Sequence, residues 1–115
     1  MRSPNYLDEA ILEVVRSVPA GRLLSYGDVA EIVVDLGSAC SARRVARTMA
    51  DFGDEVPWWR VVQAAGTLAD PVAVRARQRL AAEGVNVDGR RVPLERLRWQ
   101  PSATALALIR ERLRQ

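Results

Sequence analysis

One segment constrains the fold of this chain more than any other: Val56-Pro57-Trp58-Trp59-Arg60-Val61-Val62. We call residues 56–62 the tryptophan elbow. They contain two of the three tryptophans in the chain, directly after a proline. A proline fixes its own φ angle and biases the preceding residue towards an extended conformation. Two adjacent indoles on such a rigid turn point in different directions, so one can pack into a core while the other borders a cavity. The pair is equally typical of core packing alone, since buried aromatic side chains contribute much of a core's energy.

Length and composition predict one small globular domain spanning residues 1–115. A chain of 115 residues supports one modest core, and 49% apolar with 27% charged residues is typical of a soluble globular protein. No apolar run approaches the ~20 residues that span a bilayer, and the N-terminal residues lack the apolar core of a signal peptide. Cys40 is the single cysteine and cannot form an internal disulfide, so we expect a cytoplasmic protein that is a monomer.

The chain contains no histidine, which removes the commonest metal ligand and the commonest general base. A zinc site and a Ser–His or Cys–His nucleophile pair are therefore excluded, and we expect neither a metal nor a cofactor. The net charge of +3 permits binding to nucleic acid without demanding it. The position of the charges matters more than their sum.

Helical periodicity organises the first half of the chain. Apolar residues recur at helical spacing over residues 6–17, with acidic residues in the early turns. Ser25, followed three positions later by Asp28, is a capping signature for a second helix that ends at Gly37. A third helix is predicted over residues 41–51, with Val45 and Met49 facing inward. Its arginines lie on the opposite side: Arg43, Arg44 and Arg47.

Two helices joined by a glycine-containing turn, with arginines on the outer face of the second, form a helix-turn-helix pattern. The arginine cluster is equally typical of a solvated surface with no partner. The charge pattern alone leaves both interpretations open.

The second half of the chain is predicted to be a strand, two helices and a hairpin. Residues 60–63 resemble a short strand followed by a turn at Gly66. Asp70 and Pro71 form a cap-and-proline signature for a helix that runs to about Glu83. Residues 85–92 predict a hairpin, in effect a small wing. Trp99 is predicted to anchor the tail on the core, and a last helix is predicted over residues 102–114, with three apolar residues on one face: Leu106, Ile109 and Leu113.

Four segments, in order between about residues 20 and 99, resemble the DNA-binding domain of O6-alkylguanine-DNA alkyltransferases. They are Gly21-Arg22-Leu23-Leu24-Ser25-Tyr26-Gly27-Asp28-Val29-Ala30, Ala42-Arg43-Arg44-Val45-Ala46, the tryptophan elbow, and Glu83-Gly84-Val85. The active enzymes carry Pro-Cys-His-Arg-Val at the elbow, where the cysteine thiolate takes the alkyl group. Here those cysteine and histidine positions are Trp58 and Trp59. Tryptophan in place of the cysteine marks the alkyltransferase-like proteins, which bind alkylated guanine without repairing it.

The resemblance implies a mainly α fold with a small β wing, a winged helix-turn-helix-like C-terminal domain of the alkyltransferase type. It implies a non-enzymatic sensor that flips O6-alkylguanine out of duplex DNA and flags it for nucleotide excision repair. The implied partners are double-stranded DNA containing O6-alkylguanine and excision repair proteins, with no membrane and with association to the nucleoid when DNA is bound.

The resemblance also implies roles for individual residues. Arg43 would replace the flipped base, Arg44 and Arg47 would lie near phosphates, and Tyr26 would crowd the phosphate beside the flipped nucleotide. The expected DNA-binding residues are Tyr26, Ser41, Arg43, Arg44 and Arg47. The expected lining of the alkylguanine pocket is Tyr26, Pro57, Trp58, Arg60, Val61 and Val62. Tyr26 is also consistent with a half-buried core tyrosine.

Two departures from the family pattern bear on the site. Trp59 leaves Glu83 without a relay histidine, so we expect Glu83 to pair with Arg60 or to lie as a charge near a helix C-terminus. Trp59 itself is expected to pack between the elbow and the recognition helix. Residues 67–73 are short and acidic where related proteins place basic or hydroxyl side chains. A winged-helix transcription regulator, which reads sequence in the major groove, remains the alternative, although it leaves the tryptophan elbow unexplained.

Overall fold

The computed structural model describes residues 1–115. Six helices surround a two-stranded parallel sheet. The helices are α1 (Tyr6–Ser17), α2 (Tyr26–Asp35), α3 (Ala42–Phe52), α4 (Ala73–Ala82), α5 (Leu94–Leu97) and α6 (Ala103–Leu113), and the strands are β1 (Leu24–Ser25) and β2 (Val61–Val62). Short 3₁₀ turns cover Gly53–Glu55 and Trp58–Arg60. None of the helices has both the length and the apolar composition that a bilayer crossing requires.

Side-chain caps fix where the first three helices begin. Asn5 and Ser25 each form a capping box with the aspartate three residues later, before α1 and α2. The Ser41 hydroxyl accepts a hydrogen bond from the Arg44 backbone N–H at 3.2 Å and caps α3. The predicted helices over residues 6–17, 41–51 and 102–114, and the helix start at Ser25, are confirmed to within one or two residues.

The main core lies between α1, α2, α3 and α6. Ile11, Val33, Val45 and Ile109 are fully buried in one apolar cluster of these helices. Leu106 and Leu113 pack against the same cluster, as the periodicity predicted. The Trp99 backbone N–H donates to the Leu23 carbonyl at 2.8 Å and the ring packs on this core, which confirms that Trp99 anchors the tail.

A second, smaller core lies behind the tryptophan elbow. It joins β2 to α4 and to the segment before α5 through buried Val62, Leu68, Leu80 and Leu94. Strands β1 and β2 pair in parallel, with Leu24 opposite Val61. The sheet therefore ties the segment that enters α2 to the segment that leaves the elbow.

Two predicted elements differ from the structure. Helix α4 begins at Ala73 and not at Asp70–Pro71, because the Asp70 carboxylate forms an ion pair with Arg90 and no side chain caps the helix. The predicted hairpin over residues 85–92 is reduced to one tight turn, in which the Arg91 N–H donates to the Asp88 carbonyl at 2.8 Å. That turn pairs with residues 66–68, through the Leu68 N–H and the Arg90 carbonyl at 2.7 Å, so the antiparallel pairing at Arg91 consists of isolated bridges to Thr67 and Asp88. The mainly α fold class with a small sheet is confirmed.

A buried carboxylate joins α1 to α3. The Asp8 side chain has no solvent exposure and accepts hydrogen bonds from Arg2 at 2.6 Å, Thr48 at 2.6 Å, Arg44 at 3.0 Å and the Asn5 N–H at 2.9 Å. Burial alone would raise the pKa of Asp8, but these donors outweigh it and hold that pKa well below its usual range. The network fixes the angle at which α3 sits on α1.

We predict that Asp8→Asn destabilises the protein, because it leaves buried donors on Arg2, Arg44 or Thr48 without a charged acceptor. The expected loss in unfolding free energy is about 1–3 kcal/mol, measured by urea denaturation at pH 7. Since the pKa of Asp8 is lower in the folded than in the unfolded chain, its stabilisation is present above the unfolded pKa of about 4 and fades as pH falls below it.

Asp51→Asn is the matched control, because Asp51 is exposed and forms an ion pair only with Arg2. Its expected loss is below about 1 kcal/mol. Equal losses for the two variants, or a wild-type stability that stays flat between pH 5 and pH 3, would show that the Asp8 network is not stabilising.

Candidate nucleic-acid interface

A cavity of about 280 Å³ lies between α3, the tryptophan elbow and α4. Eleven of its fifteen lining residues are hydrophobic. Small-molecule sites are concave and mostly apolar, with volumes of roughly 300–1,000 Å³, so this cavity lies just below that range. It is suited to a single flat, largely apolar group.

Trp58 forms one wall of the cavity. Its ring is half-buried and meets the Trp59 ring edge to face, with centroids 5.7 Å apart and planes at 87°. The guanidinium of Arg75, on α4, lies 5.1 Å from the centroid of the Trp58 ring and also lines the cavity. The indole therefore presents a π surface and no nucleophile to whatever enters.

Three of the six predicted pocket residues line the cavity: Tyr26, Trp58 and Val61. The other three do not. Val62 is 1% exposed and lies in the second core, while Pro57 and Arg60 line a separate polar groove on the other side of the tryptophans. The 3₁₀ turn over Trp58–Arg60 accounts for Arg60, since three residues per turn direct successive side chains about 120° apart. Val62 follows Val61 on β2, where successive side chains point to opposite faces.

Other residues of the lining were missed from the sequence. Ala46, Met49 and Ala50 contribute from α3, and Leu68 and Arg75 contribute from the segment that crosses the cavity and from α4. The first three recur at helical spacing, so the pattern on α3 could have identified them. Leu68 and Arg75 could not be placed, because they reach the cavity through long-range packing that no local pattern records.

The exposed face of α3 leads to the rim of the cavity. Arg43, Ala46, Arg47 and Ala50 are exposed and follow i, i+3, i+4, i+7 spacing, so they share one face of the helix. Neither Arg43 nor Arg47 forms an ion pair, whereas Arg44 is turned towards α1 and binds Asp8. The prediction that all three arginines share the outer face is therefore wrong for Arg44.

Tyr26 is the first residue of α2 and combines two of the predicted features. Its ring packs against the main core and also lines the cavity. Burial raises the pKa of Tyr26, so the phenol is neutral at physiological pH and can donate a hydrogen bond.

Glu83 binds the elbow from behind. Its carboxylate accepts hydrogen bonds from the Trp59 indole Nε1 at 2.8 Å and from the Gly21 N–H at 3.0 Å. It also forms an ion pair with Arg60 at 2.6 Å. Burial alone would raise the pKa of Glu83, but these contacts lower it below its usual value. The predicted Glu83–Arg60 pair is confirmed. The prediction for Trp59 is wrong, because the ring packs against the α4 side, with the Arg79 guanidinium 4.8 Å from its centroid.

Cys40 lies apart from this site. It precedes α3 and lines a different cavity, which shares no residue with the cavity at Trp58. Burial raises the pKa of the Cys40 thiol, which lowers the fraction of reactive thiolate. No group of three or more Cys, Asp or Glu side chains is arranged to hold a metal ion.

Comparison with known proteins identifies the family. Residues 7–85 match the family model described as the DNA-binding domain of 6-O-methylguanine DNA methyltransferase. The chain is 36% identical to the DNA base-flipping protein of Escherichia coli over 104 residues, which cover 86% of this chain and 78% of that protein. It is 30% identical over 96 residues to the DNA base-flipping protein of Vibrio parahaemolyticus, covering 79% of this chain and 93% of that one.

Two solved structures have a similar fold. One is S. pombe Atl1 in complex with damaged DNA containing O6-carboxymethylguanine, with a TM-score of 0.71 and 28% identity. The other is S. pombe ATL in complex with DNA, with a TM-score of 0.69 and 26% identity. Each covers 88% of this chain and is itself covered completely.

Proposed function

The chain belongs to the family of the 6-O-methylguanine DNA methyltransferase DNA-binding domain, and on that premise we propose that it is a non-enzymatic sensor of O6-alkylguanine in duplex DNA. It recognises the lesion by flipping the damaged nucleotide out of the helix. One observation carries the proposal: the indole of Trp58 forms a wall of a mostly hydrophobic cavity beside α3. The family resemblance assigns the position of the reactive cysteine to this residue.

Flipping needs a group that replaces the base in the stack. The cost of extruding a nucleotide is a few kcal/mol, and it is least for a damaged, poorly paired base. Arg43 is the side chain we assign to this role, since it is exposed, carries no ion pair and lies on the face of α3 that leads to the cavity. Arg47 lies one turn further along and is assigned to a phosphate, where it positions the protein without reading sequence.

The other predicted DNA contacts differ in whether their side chains are available to DNA. Tyr26 lines the cavity at the start of α2, where it is placed to contact the backbone of the flipped nucleotide. The Ser41 hydroxyl is occupied as the cap of α3, and the Arg44 guanidinium is occupied by Asp8. We therefore assign Ser41 and Arg44 to holding α3 in place.

The flipped base would contact Trp58. A base stacked on an aromatic side chain gains roughly 1–3 kcal/mol, and the contact tolerates different bases because every base has a π face. An alkyl group makes O6 more apolar than in guanine, and the apolar lining of the cavity accepts it without a hydrogen bond. The chain of S. pombe Atl1 is bound to DNA with O6-carboxymethylguanine, which supports the same class of ligand here.

No alkyl transfer is expected from this site. Trp58 has no atom that can take the alkyl group, and Trp59 has no basic nitrogen that can activate a nucleophile. Binding must then act as a signal, and we propose that the marked lesion is passed to nucleotide excision repair while residues 1–115 act as one DNA-binding domain on the nucleoid. A sequence-reading transcription regulator is less well supported, because it leaves the cavity at Trp58 without a role.

We predict that the protein binds a duplex with one O6-methylguanine at least about tenfold more tightly than the matched undamaged duplex, a difference of about 1.4 kcal/mol. Fluorescence anisotropy at stated salt concentrations measures both affinities. Equal affinity for the two duplexes, with a response to sequence instead, would support the regulator.

We predict that Arg43→Ala removes most of this preference, because no side chain then fills the gap left by the flipped base. Arg47→Ala is the matched control on the same face of α3. It should weaken both duplexes equally and reduce the slope of log affinity against log salt by about one. A preference that survives Arg43→Ala would show that another side chain fills the gap.

We predict that Trp58→Cys does not restore alkyl transfer, because Trp59 supplies no base and the Glu83 carboxylate is occupied by three donors. Wild type and variant are incubated with DNA labelled on the O6-methyl group, and transfer is followed by mass spectrometry of the protein. Label on the substituted position would contradict the prediction, and label on Cys40 would contradict the non-enzymatic assignment.

A further inference from the structure

We infer that Trp59 is a positioning residue for lesion binding: its indole N–H, bonded to Glu83, fixes the orientation of Trp58 against the cavity. This inference rests on the proposed function and deepens it. It concerns the position at which the chain departs furthest from the Pro-Cys-His-Arg-Val pattern.

A hydrogen bond attaches the Trp59 indole to Glu83. The Nε1 to Oε2 distance is 2.8 Å, a normal hydrogen bond whose acceptor is charged. Glu83 is itself immobilised, because Gly21 donates from the turn after α1 and Arg60 donates from the elbow. The Arg60 guanidinium also donates to the Val18 carbonyl at 2.8 Å. The indole is therefore bonded to a carboxylate that two other residues, Gly21 and Arg60, also hold in place.

Two guanidinium groups pack on the Trp59 ring. The guanidinium of Arg79 lies 4.8 Å and that of Arg60 lies 5.4 Å from the ring centroid, both within range of a cation–π contact. Rotation of the indole about its side-chain bonds would break the bond to Glu83 and both of these contacts together. One rotamer of Trp59 is therefore strongly favoured.

The contact between the two indole rings orders Trp58 as well. The two rings meet edge to face at 5.7 Å, and both line the cavity. Trp58 itself has no side-chain hydrogen bond, and its other close aromatic-face contact is the exposed side chain of Arg75. The ring of Trp59 is thus the rigid surface against which Trp58 is set. A pre-ordered wall binds a flipped base without first losing side-chain freedom.

Trp59→Phe tests the inference, because it keeps an aromatic ring and removes only the N–H donor and part of the surface. We expect the ratio of lesion affinity to normal affinity to fall by about fivefold or more, with the affinity for undamaged DNA and its salt slope unchanged within about twofold. Trp99→Phe is the matched control, since Trp99 is half-buried on the main core. It lines neither the cavity nor the polar groove at Pro57 and Arg60. It should leave the ratio unchanged.

A second readout is independent of DNA. In protein labelled with ¹⁵N-tryptophan, we expect the indole N–H signal of Trp58 to shift and its order parameter to fall in Trp59→Phe but not in Trp99→Phe.

The outcomes separate the inference from the proposed function. An unchanged Trp58 signal in Trp59→Phe overturns the inference, whatever the DNA affinities. A changed Trp58 signal in a protein whose wild type shows no lesion preference sustains the positioning role and overturns the proposed function. If the affinities for damaged and undamaged DNA fall by the same factor, Trp59 contributes only to general stability. That result also overturns the inference.

Discussion

The Glu83 carboxylate is the contact on which the geometry of the elbow depends. It lies at the C-terminal end of α4 and receives donors from Gly21, Trp59 and Arg60, so that three segments distant in sequence meet on two oxygen atoms. A partly buried carboxylate is unfavourable unless it is fully hydrogen-bonded. Here every contact that satisfies Glu83 also fixes a part of the elbow. The same requirement explains why a tryptophan fits at position 59, since its N–H supplies a donor that the carboxylate needs.

A second carboxylate has the corresponding role on the opposite wall of the cavity. Asp8 holds α3 through Thr48 and Arg44, while Glu83 holds the elbow through Trp59 and Arg60. The cavity lies between these two networks, and neither carboxylate lines it. Packed protein interiors tend to leave few voids. Two rigid walls attached to separate cores account for a space that the side chains do not fill.

The parts of the fold that the sequence predicts are those with local causes. Helix periodicity and the caps at Ser25 and Ser41 locate α2 and α3 because the interacting groups lie within four residues. The failures have long-range causes. Asp70 pairs with Arg90 and does not cap α4, and Arg44 pairs with Asp8, 36 residues away, and does not face outward. In the site, Trp58 and Val61 were identified from the elbow motif. Arg60 was misplaced because a 3₁₀ turn was not foreseen, and Val62 because it follows Val61 on β2 and points to the opposite face.

A cavity that presents the Trp58 indole and no thiol can gain its selectivity only from binding. An enzyme that takes the alkyl group covalently reacts irreversibly with the lesion. A sensor has only the difference in binding free energy between damaged and normal DNA. Stacking on Trp58 contributes little to that difference, because any base offers a π face. Two terms remain: the lower cost of extruding a poorly paired base, and the fit of the alkyl group against the hydrophobic residues of the lining. The second term is effective only if the wall keeps its shape and excludes water. Rigid support of Trp58 from behind is therefore a physical requirement of recognition without chemistry.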